Sequence, residues 1–113
     1  IKEAYKAADQ LAEDGISCEI IDLRTVRPLD KQAIFDSVKK TNRLVILEEA
    51  WPFGNVSTEI SHQVQEHCFD YLDAPIQRIN TADTPAPYSP VLLKEWLPNS
   101  DDVVKAVKKV MYR

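Results

Sequence analysis

Three short runs rich in β-branched residues, at 17–23, 43–48 and 74–80, alternate along this chain with stretches whose apolar residues recur every three or four positions. That alternation constrains the fold more than any other feature. Antiparallel hairpins need turn signals between adjacent strands, whereas strands separated by helices imply crossovers and a mostly parallel sheet covered on both faces.

The helices carry their own punctuation. Residues 2–14 read as a helix with Ala4, Ala8, Leu11 and Ala12 on one face, and Gly15 suits the position after its last turn. Asp30 is a good N-cap for a helix over 31–40, with Leu29 and Ile34 able to pack together as a staple, and Asn42 ends it. Val56, Ile60, Val64 and Cys68 recur every four residues, which predicts a third helix over 56–69. "TADTPAPYSP" carries three prolines in ten residues and is read as extended loop, since proline donates nothing to a ladder. Residues 91–97 form a short helix, and Ser100 is the expected cap of a last one. In that helix Asp101 and Asp102 lie in the first turn, and Lys105, Lys108, Lys109 and Arg113 follow, an order that suits the helix dipole. The first element is nevertheless awkward. Its Ala-rich face needs a sheet already in place, yet no strand precedes it, so the chain reads as a domain lacking its opening strand.

At 113 residues, with 44% hydrophobic and 28% charged residues, the chain has one domain's worth of core and surface. The net charge of −4 argues against nucleic acid and favours a basic partner. No apolar run approaches the roughly 20 residues of a membrane span, and the first ten residues lack the apolar core of a secretory signal. Cys18 and Cys68, far apart and with no CxxC spacing, read as two small core residues in a reducing compartment.

The chemical candidates are few. Asp22 ends a strand as a ribose-binding acid would, but a dinucleotide site also needs clustered glycines, and only Gly15 and Gly54 exist. His62 and His67 lie five apart on one helix, off the i, i+4 spacing that brings two imidazoles to one ion. His67 and Cys68 are neighbours and so point about 100° apart. No serine occupies a G-x-S-x-G elbow. The "LEEAWP" pair, Glu48 and Glu49, ends a buried strand, where α/β enzymes often keep their chemistry. Neighbouring strand side chains face opposite ways, so the two cannot act as one acid/base couple, and a role in capping a helix or holding the 51–55 loop is expected instead. Asp73, in "YLDAP", lies on an exposed helix–strand connection. There it either satisfies local backbone N–H groups or offers an anion to a basic partner.

With those residues in place, "GISCEIIDLRTVRPLD", "VKKTNRLVILEEAWPFGNVSTEI", "FDYLDAPIQRINTADTPAPY" and "DDVVKAVKKV" together resemble successive blocks of one domain. It is the C-terminal, transketolase-like domain of pyruvate dehydrogenase beta subunits, the thiamine-diphosphate-dependent decarboxylating component. The resemblance covers essentially all of residues 1–113. It implies a three-layer α/β/α domain with a mostly parallel, five-stranded mixed sheet whose first two strands precede the opening helix and are lacking here. One of them would lie between the strand at 18–23 and that at 43–48.

The same resemblance implies that thiamine diphosphate and Mg²⁺ belong to the whole enzyme, at the interface of the alpha subunit with the other domain of the beta subunit. No catalytic, cofactor-binding or metal-binding residue is then expected in this segment. The implied partners are the alpha subunit, a second beta subunit and the basic subunit-binding domain of dihydrolipoyl acetyltransferase. Asp73, Tyr112 and Arg113, the last through its carboxylate, are the implied docking residues. A bacterial cytoplasm or a mitochondrial matrix is the implied compartment. "RTVRPLD", "EEAWP" and "LDAP" favour pyruvate over the branched-chain 2-oxoacid enzyme, which is the nearest alternative; a non-enzymatic interaction module is another. Two departures stand out. Ala50, Asn55 and Ser57 replace a glycine-rich turn, and the closing "YR" replaces an apolar ending, so any apolar contact there passes to Met111 or Tyr112.

Overall fold

The computed structural model describes residues 1–113. Its elements run α1 (Lys2–Glu13), α2 (Lys31–Thr41), β1 (Val45–Leu47), α3 (Val56–Cys68), a 3-10 turn (Phe69–Tyr71), β2 (Gln77–Ile79), α4 (Pro90–Trp96) and α5 (Ser100–Val110). β1 and β2 pair in parallel, with Val45 opposite Gln77, Ile46 opposite Arg78 and Leu47 opposite Ile79.

The side-chain alternation of a strand divides the core into two halves. Val45, Leu47 and Ile79 face one way and pack with Ala7 of α1 and Val103, Val104 and Val107 of α5. Leu44 and Ile46 face the other way and pack with Ile34 and Val38 of α2 and Ile60, Val64 and Cys68 of α3. Helix pairs α1–α5 and α2–α3 therefore sandwich the sheet, giving the expected three-layer α/β/α arrangement.

The helix ends show why these segments stop where they do. Gly15, at φ +78°, donates to Ala12 O at 3.1 Å, and Ile16 donates to Leu11 O at 2.9 Å. That pair of bonds is a Schellman motif, which satisfies carbonyls α1 would otherwise leave bare. The Asp30 carboxylate accepts from Ala33 N at 3.1 Å, and Asn42 closes α2 in the left-handed region. Leu29 packs against the cluster that contains Ile34, as a staple would.

Several expectations need correction. The buried stripe of α1 includes Ala7 and Leu11, whereas Ala12 is exposed. Each i+4 step advances 400°, so the 4–8–12 row drifts 40° per step and leaves the buried face, while 4, 7, 8 and 11 stay on it. The cap of α5 is Asn99, not Ser100. Asn99 Oδ1 accepts from Asp102 N at 3.0 Å, and Asp102 Oδ2 accepts from Asn99 N at 3.2 Å, a reciprocal capping box. Ser100 is instead the first helical residue and donates its backbone N–H to Glu3 Oε2 at 2.8 Å, tying α5 to α1. Pro90 opens α4, one residue earlier than expected, at the position where its missing N–H costs nothing.

The largest difference concerns residues 17–23. They are extended but belong to no ladder, and none of their N–H groups donates to a backbone carbonyl. An apolar slot of about 430 Å³ separates them from β1, lined by Ala4, Ala8, Ile20, Val38, Val45 and Val107 among others. The other two strands are also shorter than read, at three residues each. The reason is geometric. Leu44 O accepts from Gln77 N and Glu48 N donates to Ile79 O, so these alternate residues face β2. The backbone groups of Val45 and Leu47 then point to the opposite edge, into the slot.

Candidate functional site

Two places carry the polar residues singled out in the sequence: the carboxyl end of the sheet, and the corner where α2, the 3-10 turn and α5 meet.

At the sheet's carboxyl end, Glu48 leaves β1 and reaches the start of α3. Its carboxylate accepts from Ser57 N at 3.2 Å, from the Ser57 hydroxyl at 2.5 Å and from Asn80 Nδ2 at 2.6 Å. Asn55 occupies the N-cap position without a capping side-chain bond, so Glu48, eight residues before the helix, satisfies the orphan donor instead. Arg78, opposite Ile46 on β2, donates to Pro52 O at 2.6 Å, Thr58 Oγ1 at 3.1 Å and Ser57 Oγ at 3.3 Å. The indoles of Trp51 and Trp96 both donate to Thr84 O at 2.9 Å, pinning the proline-rich loop to the strand exit. Most of these bonds hold the 50–58 segment in place. Glu49, in the bend beyond β1, is exposed.

The other titratable candidates are also dispersed. His62 pairs with Glu66 of its own helix at 3.1 Å, while His67 packs its ring against Phe35, the centroids 5.1 Å apart. Cys18 and Cys68 are unpaired thiols, and burial pushes the Cys18 thiol up from its usual range. No group of three His, Cys, Asp or Glu side chains is placed to hold a metal ion. A Mg²⁺–diphosphate group takes carboxylate or carbonyl oxygen ligands, and the Glu48 carboxylate is already engaged by Ser57 and Asn80.

The corner is different. Asp73 N donates to Asn42 O at 2.8 Å, Asn42 Nδ2 donates to Tyr71 O at 2.8 Å, and the Tyr112 hydroxyl donates to Asp73 O at 3.1 Å. Arg43 Nη1 lies 3.9 Å from Asp73 Oδ2, and Arg43 Nε donates to Val110 O at 3.0 Å. Asp73 is thus fixed by its backbone while its side chain stays 57% exposed. The structure brings two of the three sequence-expected docking residues, Asp73 and Tyr112, into direct contact. Tyr112 contributes through its hydroxyl rather than an apolar contact. The Arg113 side chain turns elsewhere, donating from Nη1 to Asp14 O at 3.3 Å. Arg43 was missed in the sequence, where it is one cation in "TNRLV". Its only signal is its place between the left-handed Asn42 and the first residues of β1.

A family profile described as "Transketolase, C-terminal domain" matches residues 1–103. The chain belongs to the transketolase C-terminal domain family. Among curated relatives, "Pyruvate dehydrogenase E1 component subunit beta" of Rickettsia felis is 52% identical over 112 residues, covering 99% of this chain and 34% of the relative. The protein of the same name from Rhizobium meliloti is 53% identical over 110 residues, covering 97% of this chain and 24% of the relative. "Pyruvate dehydrogenase E1 component subunit beta-2, mitochondrial" of Oryza sativa subsp. japonica is 49% identical over 110 residues, covering 97% and 29%. The chain spans about a third or less of the length of these relatives. No helix of the structure is long and apolar enough to cross a membrane.

Proposed function

We propose that this chain is the C-terminal assembly and core-docking domain of a pyruvate dehydrogenase beta subunit. On that reading it serves the oxidative decarboxylation of pyruvate to acetyl-CoA without supplying the reactive centre. The observation that carries the proposal is the near-complete, half-identical match to subunits of that name, combined with a Glu48 carboxylate already engaged by Ser57 and Asn80. On the same reading thiamine diphosphate and Mg²⁺, which would supply the decarboxylation chemistry, are held by other polypeptide of the enzyme. The bacterial and mitochondrial names of the relatives support a bacterial cytoplasm or a mitochondrial matrix as the compartment.

On the same reading, the slot beside β1 receives a parallel strand from polypeptide preceding Ile1. That strand would pair with Val45 and Leu47 on one side and with residues 17–23 on the other, and both its faces would be apolar. The partners are the alpha subunit, a second beta subunit and the basic subunit-binding domain of dihydrolipoyl acetyltransferase. Asp73, Tyr112 and Arg113 are the proposed docking residues, and the exposed Asp73 carboxylate offers a charge-assisted bond to a basic partner.

The test is activity of the assembled alpha and beta subunits. Thiamine-dependent decarboxylation of pyruvate in clear preference to branched-chain 2-oxoacids supports the assignment. Preference for the branched-chain acids would move the chain to the neighbouring enzyme. No decarboxylation at all, together with sharp cooperative unfolding of residues 1–113 alone, would instead favour a free-standing interaction module.

A further inference from the structure

Arg43 stands between the two parts of the docking corner, and nothing in its sequence position announces that. We infer that Arg43 is a positioning residue for docking: one guanidinium ties the end of α5 to Asp73 and pre-aims the Asp73 carboxylate at the incoming cation. The inference rests on the docking reading above and deepens it.

The geometry supports the assignment in three steps. Val110 is the last residue of α5, and its carbonyl is one of those a helix leaves without an internal partner. Arg43 Nε donates to it at 3.0 Å, so the helix end is fixed to the head of β1, 67 residues away in sequence. The guanidinium is planar with a rigid fork of donors, so once Nε is fixed the Nη1 position is fixed as well, 3.9 Å from Asp73 Oδ2. That separation orients the carboxylate without closing a tight ion pair. No other donor reaches the Asp73 side chain, which leaves it able to accept from a partner.

The third step runs through Tyr112. Two residues beyond Val110 the chain enters the left-handed region, with Tyr112 at φ +58°, and its hydroxyl comes round to donate to Asp73 O. That conformation is unusual for a bulky side chain. It follows α5's last turn, which Arg43 holds. Segments 42–43, 71–73 and 110–112 thus share one surface, with the Arg43 side chain mostly covered and the Asp73 side chain mostly open.

Arg43 also carries a positive charge beside a site for a cation, which by itself opposes docking. At an exposed corner that repulsion is screened by solvent and salt, whereas a loosened corner must be ordered again each time the partner binds. Pre-ordering is therefore expected to win.

The experiment is a double-mutant cycle on the intact beta subunit, assembled with its alpha partner. Titration calorimetry with the isolated basic subunit-binding domain measures affinity for the parent, Arg43→Met, Asp73→Ala and the double variant. Arg43→Met should weaken docking about three- to tenfold when Asp73 is present and change it less than about twofold when Asp73 is alanine, because its effect passes through that carboxylate. Arg43→Lys, which keeps the charge but lacks the fork, should stay weakened.

Tighter or unchanged docking by Arg43→Met would overturn the inference. Equal weakening in both backgrounds would do the same, by showing a general structural effect. If Arg43→Met fails to fold, Arg43→Gln takes its place in the cycle. An Asp73→Ala variant that docks as well as the parent would instead remove the docking reading itself, a different result from any of these.

Discussion

Glu48 and Asp73 are both acids next to the strand ends of a parallel sheet, yet their carboxylates are engaged to opposite extents. Glu48 sits where the sheet's carboxyl end meets α3 and accepts three hydrogen bonds, one of them from the helix's own backbone. Asp73 sits before the strand at the other end of the sheet, held by its backbone N–H and carbonyl, with its carboxylate touched only by Arg43 at 3.9 Å. A carboxylate whose lone pairs are filled from within stabilises a fold. One that is fixed in place but left unfilled is suited to a partner. At the end of the sheet where α/β enzymes usually place chemistry, the Glu48 carboxylate is occupied by Ser57 and Asn80.

The comparison can be broken most easily at Glu48. Replacing it with alanine leaves Ser57 N and Asn80 Nδ2 without their acceptor and removes the remote cap of α3. The expected loss is about 2–4 kcal/mol of stability, read by denaturant unfolding of the intact subunit. A loss near zero would mean that Glu48 is not a structural acid. Arg78→Met removes a charged donor from Pro52 O, Thr58 and Ser57 and should cost about 1–3 kcal/mol by the same measurement. It should also raise hydrogen exchange in the 50–58 loop while leaving residues 71–73 unaffected. Tyr112→Phe acts at the other pole. It deletes one hydrogen bond to Asp73 O, so stability should change by no more than about 1 kcal/mol, with docking affinity falling slightly.

Glu19 sharpens the contrast as an exposed acid that is nonetheless engaged. The Ser37 hydroxyl and then the Lys40 ammonium hold its carboxyl below the usual range. A depressed folded-state value contributes stability above the unfolded value of about 4.3, and that contribution disappears as pH falls through the folded value. Glu19→Gln should therefore lower stability slightly near neutrality and lose that difference at low pH, flattening the acid limb of the stability–pH curve. An unchanged acid limb would show that the contact does not persist in solution.

What the sequence revealed and what it hid follow one physical divide. Local signals were legible: the glycine after α1, the Asp30 cap, the i, i+4 stripe of α3 and the proline-broken loop all depend on neighbours within a few residues. Even the Asn99 box is written locally, as Asn99 followed by Asp102 three positions on. Residues 17–23 form no strand here because β-branched composition records a preference for extended backbone, while a ladder requires a neighbour. The site contacts were hidden because they join distant segments. Glu48 to Asn80, Arg78 to Pro52 and Arg43 to Val110 span tens of residues, and no spacing rule encodes them. Asp73 could be picked out as exposed on a connection, but its 3.9 Å contact with Arg43 could not.

The central claim is that the acid at residue 73, not the acids at the sheet end, performs this domain's work. Its most direct test is the dissociation constant of the basic subunit-binding domain for the assembled enzyme across a range of salt concentrations, with and without Asp73→Ala. We predict that the substitution weakens binding by about 1–3 kcal/mol at low salt and makes the salt dependence shallower, with the unfolding midpoint unchanged. Equal affinity of the two proteins at low salt would contradict the account.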